Sequence, residues 1–278
     1  MEIMITGATG MLGQALARSF QAEHHVHALS SRDLDITQRS AVEATVKRIQ
    51  PDVILHAAAY TRVDDAERDQ ESAYKVNALG TANIAAAGFR IGARVVYYSS
   101  DYVFNGSQRR PYREWDPPAP INEYGRSKLA GENLLRDLHP RHLIIRTSWL
   151  FGPGGKNFVN RIIQLAGERD ELKIVDDQRG CPTYTPDLAA ATLELVKRGS
   201  LGTYHVTNSN DCSWFEFAGE IVTKAGLNVH LDPTDSKTFA APAPRPAFSV
   251  LDNYMLRLEG LLQLRSWQEA LSDYLSAS

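Results

Sequence analysis

The stretch "EIMITGATGMLG" (residues 2–13) constrains this chain more than any other. A short apolar run ends in Gly7, Gly10 and Gly13, spaced three apart, and Leu12 and Leu16 then begin an apolar helical face. A strand that turns sharply into a helix needs glycine where the backbone is tight. The helix N-terminus beyond it offers oriented N–H groups and positive potential to a phosphate. Dinucleotide-binding turns commonly space their glycines as GxGxxG; this one reads GxxGxxG, a variant of that pattern. Such a turn belongs to a βαβ unit, so the rest of the chain should alternate strand and helix.

It does. "EIMIT" (2–6), "HHVHAL" (24–29), "DVILHAA" (52–58), "ARVVYYSS" (93–100) and "HLIIRTSWL" (142–150) read as strands. Several are apolar at consecutive positions, as strands covered on both faces are. Helical patterns lie between them, near 11–22, 37–50, 65–91 and 121–138. The expected fold is α/β: a Rossmann-like, doubly wound parallel sheet with right-handed crossovers. Beyond residue 150 a loop "FGPGGKN", a helix near 157–169, a strand "LKIV" and a helix opening "TPDL", with Thr185 as N-cap, follow. "GTYHVT" (202–207) reads as one more strand of the main sheet, and "SWFE" (213–216) as a capping box. The proline-rich "APAPRPAFS" (241–249) should lie extended on the surface, and 252–277 should form two short helices. The expected division is a dinucleotide-binding domain of 1–150 plus about 184–207, and a smaller, discontinuous C-terminal substrate lobe of about 151–183 plus 208–278.

Composition narrows the partners. A net charge of −3 calls for neither nucleic acid nor an anionic membrane. No basic and apolar leader opens the chain and no long apolar run crosses it, so a cytoplasmic protein is expected. Cys181 and Cys212 have no paired spacing and read as reduced thiols.

The end of the second strand bears on which nicotinamide cofactor the turn would hold. "LSSRDLD" has small Ser30 and Ser31, then Arg32, which suit a ribose 2′-phosphate and hence NADPH. Asp33 could instead reach a ribose diol, so NADH stays open. Asp35 and Ile36 are placed beneath the adenine, and Ala57, Ala58 and Ala59 give the small side chains that a molecule lying across strand ends requires. Thr9, Met11 and Leu12 in the turn, and Tyr60 and Asn77 beyond the third strand, complete the candidate cofactor set with Gly7 and Gly10.

The fourth strand ends in Ser99–Ser100, at the edge where such sheets bind ligands. "NEYGRSKLAGE" (122–132) then places Tyr124 and Lys128 one turn apart on one helix face. Reducing a ketone by hydride transfer leaves charge on oxygen, and a proton must be supplied. A free tyrosine is too weakly acidic to supply it easily at neutral pH. A cation one turn away would stabilise the phenolate, and Lys128 could also hold the ribose. Ser100 would orient the carbonyl. Hence Ser100, Tyr124 and Lys128 are the candidate catalytic residues.

The chain resembles the extended short-chain dehydrogenase/reductase family in "TGATGMLG", "HAAAYTRVDDAE", "VNALGT", "YSSDYVF" and "YGRSKLAGE". "RTSWLFGPGGKNFV", "VDDQRGCPTYTPDLA" and "APRP" are similar to the branch that reduces nucleotide-linked keto sugars. The resemblance implies hydride transfer from NAD(P)H to C4 of a dTDP-linked 4-keto-6-deoxyhexose, giving dTDP-L-rhamnose, in a monomer or homodimer. It implies that Asp101, Tyr102 and Trp149 face the sugar, that Asn157 and Arg161 lie near the nucleotide end, and Arg245 near the diphosphate. The family's hydroxyl residue is usually threonine; Ser100 stands there. Relatives that bind a metal do so through an acidic residue in the first helix, and "GQALA" has none, so no catalytic metal is expected. An epimerase or dehydratase of the same family is an alternative, although a dehydratase needs Asp-Glu where Asp101-Tyr102 stands. A non-catalytic subunit like the one that accompanies methionine adenosyltransferase is another, although such a subunit need not keep both Tyr124 and Lys128.

Overall fold

The computed structural model describes residues 1–261 and 263–277. Strands β1 (Glu2–Thr6), β2 (His25–Leu29), β3 (Val53–His56), β4 (Arg94–Ser100), β5 (His142–Thr147) and β6 (Gly202–His205) form one parallel sheet. Its order is β6-β5-β4-β3-β1-β2. The chain winds outward from β1 to β2, then crosses back to β3 and continues the other way. The switch point between β1 and β3 leaves a crevice at the carboxyl ends, where Thr6 pairs with both Leu29 and His56.

Helices cover both faces because successive strand residues point to opposite sides. Ile3, Ile5, Val96 and Leu143 face α1 (Met11–Gln21), and Leu188 and Val196 of the helix Thr185–Arg198 join the same core. Met4, Ile54, Val95 and Ile144 face α2 (Arg39–Ile49), α3 (Thr81–Ile91) and α4 (Glu123–Leu138). Burying each of these aliphatic side chains contributes roughly 1.5–3 kcal/mol.

The predicted helix over 65–91 is broken. Val63–Ala66 and Gln70–Tyr74 are short turns, and Lys75–Gly80 is a π-helical segment that runs into α3. The carboxylate of Asp69 accepts from Ser72 N and restarts the helix. Gly80 lets Ile36 approach, since a Cβ there would lie 2.7 Å from Ile36 Cδ1. The strand expected over 142–150 ends at Thr147; Leu150–Phe151 pairs instead with Thr183–Tyr184. Tyr184, not Thr185, flanks the helix that follows.

A second core gathers Phe151, Val159, Phe217, Ile221, Trp267 and Leu271. It joins α5 (Phe158–Glu168) to the helices Trp214–Lys224 and Trp267–Ser276 and to the paired strands Glu171–Val175 and His230–Thr234. The capping box read in "SWFE" forms, with Ser213 and Glu216 bonding each other's backbone. The proline-rich segment 241–249 is extended but not superficial. Ala243 and Ser249 are buried, and Arg179 N donates to Ala247 O, because the segment straps the two cores together. Cys181 and Cys212 are free and buried, and burial pushes the Cys181 thiol up to about 12. No helix of the described residues is long and apolar enough to cross a membrane.

Candidate active site

The crevice at the switch point is a cleft of about 570 Å³. Its floor is the glycine turn. Gly7 has φ +70°, and a Cβ on it would lie 2.6 Å from Ala58 N. On Gly13 a Cβ would meet Gly7 O at 2.2 Å. At Gly10 a Cβ would find only Gly7 O, at 3.4 Å, so this residue opens into the cleft. Gly10 also precedes α1 with no side chain capping it and no acidic residue in its first turn. The N–H groups of that turn therefore face the cleft, a fit for a pyrophosphate. Thr147 Oγ1, buried at the end of β5 in the cleft wall, has no hydrogen-bond partner among the described residues. From the other side the loop after Phe151 leans in, and Gln14 Nε2 donates to both Thr9 O and Gly154 O.

Gly7, Thr9, Gly10, Met11, Leu12, Ala57 and Ala59 all line this cleft, and Ala58 packs beneath Gly7. At the end of β2, Ser30 Oγ donates to the Asp33 carboxylate at 2.6 Å, while the exposed Arg32 joins no ion pair among the described residues. Asp33 is thus engaged and Arg32 is open to an anion. Asp35 accepts from Thr37 N and Oγ1, and Ile36 is buried under Gly80. Tyr60 and Asn77 are buried beside the cleft rather than in it. Both amide hydrogens of Asn77 are committed, to Tyr60 O at 3.0 Å and Ser127 Oγ at 2.9 Å. Asn77 therefore braces α4 against the loop after β3.

Ser100, Tyr124 and Lys128 meet at the cleft wall. Ser100 ends β4, accepts from Tyr102 N at 3.1 Å and donates to Asp101 Oδ1 at 2.9 Å. Tyr124 lies in the first turn of α4, whose N-cap Asn122 accepts from Gly125 N. Gly125 is glycine because a Cβ would strike Tyr102 O at 2.1 Å, so α4 can press against the turn that follows Ser100. Lys128 Nζ donates to Tyr98 O at 2.6 Å and sits 4.1 Å from the Tyr97 ring centroid. The protein groups alone push the pair against the expected direction. Burial first, then the negative charge of Asp101, raises the Tyr124 phenol to about 12. Burial lowers the Lys128 ammonium to about 7, with Glu132 opposing it.

Asp101 is buried, and its carboxylate accepts from Ser100 Oγ and, at 2.6 Å, from Ser249 Oγ. Burial outweighs these bonds and moves the carboxyl from 3.8 up to about 6. The folded chain therefore binds this proton more tightly than the unfolded one. The resulting stability is fully present below the unfolded value and is lost as pH rises through about 6. Against Asp101→Asn, the wild type is expected to lose roughly 2–2.5 kcal/mol of relative stability between pH 4 and pH 7. Urea denaturation of both proteins across that range checks it, and a flat difference would refute the shift.

Trp149 turns the chain at the end of β5 with φ +46°, a strained conformation for a bulky residue. Its ring stacks on Trp214 at 3.4 Å and 6°. Gly180 makes room for the ring, since a Cβ there would be 2.5 Å from it. The stack holds one edge of Trp149 in the cleft. Tyr102 and Arg245 line an adjoining cavity of about 280 Å³ with Phe158, Lys173, Trp214 and Phe239. Arg245 makes a bidentate pair with Asp64, at 2.8 and 2.9 Å, and also donates to Ala243 O. Two sequence candidates are not brought to either cavity. Asn157 spends its side chain capping α5, accepting from Asn160 N and donating to Gly152 O. Arg161 is exposed on α5 and donates to Gln164 on the same helix. A separate cavity of about 610 Å³, between the helix Thr185–Arg198 and Leu256, Leu261 and Leu264, is mostly apolar and contains none of this chemistry.

Over residues 1–278 the chain matches the family described as the RmlD substrate binding domain. It is 42% identical to the spore coat polysaccharide biosynthesis protein SpsK of Bacillus subtilis, over 99% of this chain and 96% of that protein. The dTDP-4-dehydrorhamnose reductase of Bacillus anthracis, solved in complex with NADP, is 44% identical and superposes with a TM-score of 0.97 over 99% of both chains. The reductase of Clostridium acetobutylicum is 42% identical with a TM-score of 0.98, over 100% of this chain and 99% of that one.

The chain belongs to the dTDP-4-dehydrorhamnose reductase family.

At the end of β4 the chain carries a hydroxyl on Ser100, and the YxxxK pair is intact. Sequence reasoning missed four partners. Trp214 was read only as part of a capping box, and Gly180 only as part of a similar segment. Asp64 was read only as part of a similar segment and Ser249 only as part of the proline-rich one; neither signalled its partner, because each acts on a residue more than a hundred positions away.

Proposed function

We propose that this protein is an NADPH-dependent reductase of the C4 carbonyl of dTDP-4-dehydro-L-rhamnose, yielding dTDP-L-rhamnose. The observation that carries the reading is the convergence of Ser100, Tyr124 and Lys128 on a cleft floored by the glycine turn. NADPH, when bound, supplies the hydride. The turn from Gly7 to Leu12 holds the pyrophosphate, Arg32 with Ser30 takes the 2′-phosphate, and Ala57 and Ala59 leave room along the strand ends. Lys128 holds the nicotinamide ribose. Tyr124 gives its proton to the carbonyl oxygen, and Ser100, oriented by Asp101, positions that oxygen. Trp149, Asp101 and Tyr102 border the sugar. Arg245 keeps Nε free of Asp64 for the diphosphate. Asn157 and Arg161 act no closer than the rim of the nucleotide site.

The sheet domain, 1–150 with about 184–207, carries the cofactor, and the lobe of about 151–183 with 208–278 carries the nucleotide sugar. The protein works in the cytoplasm, as a monomer or homodimer, with its two thiols reduced. A dehydratase is disfavoured by Tyr102 after Asp101, where elimination needs a second carboxylate. Similarity to relatives named dTDP-4-dehydrorhamnose reductase, such as that of Streptomyces griseus at 40% identity, supports the reductase.

The test is NADPH oxidation with dTDP-4-dehydrorhamnose, run beside NADH and other nucleotide-linked 4-keto sugars. Turnover confined to other sugars would redirect the substrate, and none with any keto sugar would end the reading. In the same assay Arg32→Ala should raise the KM for NADPH by on the order of tenfold to a hundredfold, one charge-assisted contact, and leave that for NADH unchanged. Equal effects on both cofactors would remove Arg32 from the 2′-phosphate.

A further inference from the structure

Far from the cleft, at the amino ends of the strands, Glu2 of β1 lies opposite His25 of β2 in register. His25 and His27 are two residues apart, so both rings project from the same face of the strand. β2 is an edge strand, and the His25 and Glu2 side chains are exposed to water. His25 Nδ1 and His27 Nε2 each lie 2.8 Å from the same carboxylate oxygen, Glu2 Oε2. The rings meet edge-on with centroids 4.6 Å apart. The ligand-capable atoms of all three side chains fall within 4.8 Å of one another, the one such group of three His, Cys, Asp or Glu among the described residues.

We propose that Glu2, His25 and His27 form a surface site for Zn²⁺. Two imidazoles and one carboxylate are a borderline donor set that suits Zn²⁺ and is wrong for Ca²⁺ or Mg²⁺, which prefer all-oxygen shells. Bonds of about 2.0 Å in a tetrahedral site put ligand atoms roughly 3.3 Å apart. The present spacing of 2.8 Å therefore needs each nitrogen to withdraw by a fraction of an ångström. The side chains of His25 and Glu2 are 69% and 43% exposed, so nothing packed resists that movement. His27 is more enclosed, at 28%, and anchors the site. Three protein ligands leave the fourth position to water. The ion would clamp β1 to the edge strand, stabilising the folded chain in proportion to its binding.

The test uses the full chain, free of any polyhistidine tag and stripped with chelator, titrated calorimetrically with Zn²⁺. One saturable site per chain is expected, with no heat of binding from Ca²⁺. His25→Ala and His27→Ala should each weaken Zn²⁺ binding by on the order of a hundredfold, the upper end of what even a supporting group costs. Because all three residues lie outside the cleft, the variants should keep the parental rate of NADPH oxidation, which also reports that they fold. In proton NMR, Zn²⁺ should move the ring resonances of His25 and His27 and leave the other histidines in place. Absence of saturable binding, undiminished affinity in the double variant, or shifts confined to other histidines would each overturn the site.

Discussion

Tyr124→Phe is expected to lower kcat by on the order of a hundredfold to ten-thousandfold, the scale for a positioned general acid. The phenol lines the cleft together with Ser100 and Lys128, and phenylalanine keeps its ring packing against Tyr102, now at 6.1 Å between centroids. Affinity for NADPH should survive, because the glycine turn and Arg32 are untouched. Steady-state kinetics with a fluorescence titration of NADPH separates the two effects, and a near-parental kcat would exclude Tyr124 as the donor. Lys128→Met should differ in kind. It removes a cation that lies beside the same cleft and donates to Tyr98 O, so both turnover and NADPH affinity should fall. Burial and the Asp101 charge raise the phenol and the Ser100 hydrogen bond opposes them, so a larger loss of turnover in Lys128→Met than its loss of NADPH affinity accounts for would assign Lys128 a part in lowering it.

The largest expected loss of stability comes from Glu132→Ala. Glu132 lies one turn beyond Lys128 on α4, with no exposure, and meets Arg146 of β5 through two bonds of 2.9 and 2.7 Å. Arg136 adds a third bond at 2.7 Å. Burial alone would raise the Glu132 carboxyl, but the two guanidiniums outweigh it and bring it to about 2. Removing the carboxylate strands Arg146, itself only 1% exposed, in the interior. Breaking such a pair costs about 3–5 kcal/mol, a large share of a domain's total of roughly 5–15 kcal/mol. The urea midpoint should drop accordingly. The double variant Glu132→Leu/Arg146→Met should recover most of the loss, because an apolar pair of similar volume avoids burying unpaired charge. A single-variant loss below about 1 kcal/mol would mean that water reaches Arg146.

What the sequence determined by itself was local and periodic. Consecutive apolar residues in "VILH" and "RVVYY" mark strands covered on both faces, and they sit at the centre of the sheet. Glycine spacing located the turn, and a four-residue interval put Tyr124 and Lys128 on one helix face, because backbone hydrogen bonding imposes those periods regardless of context. The same logic failed where a distant contact outbid local preference. The helix over 65–91 gave way to a π-helical segment where Ile36, from beyond β2, presses on Gly80. The expected strand stopped at Thr147, just before Trp149, whose positive φ accompanies its stack on Trp214 and the room left by Gly180. Only the tertiary structure decided that Ser249 reaches Asp101, that Arg245 pairs with Asp64 and that Glu2 gathers two histidines. Each of these joins residues whose separation along the chain carries no period, so their meeting depends on how the crossovers fold the sheet and the strap onto one another.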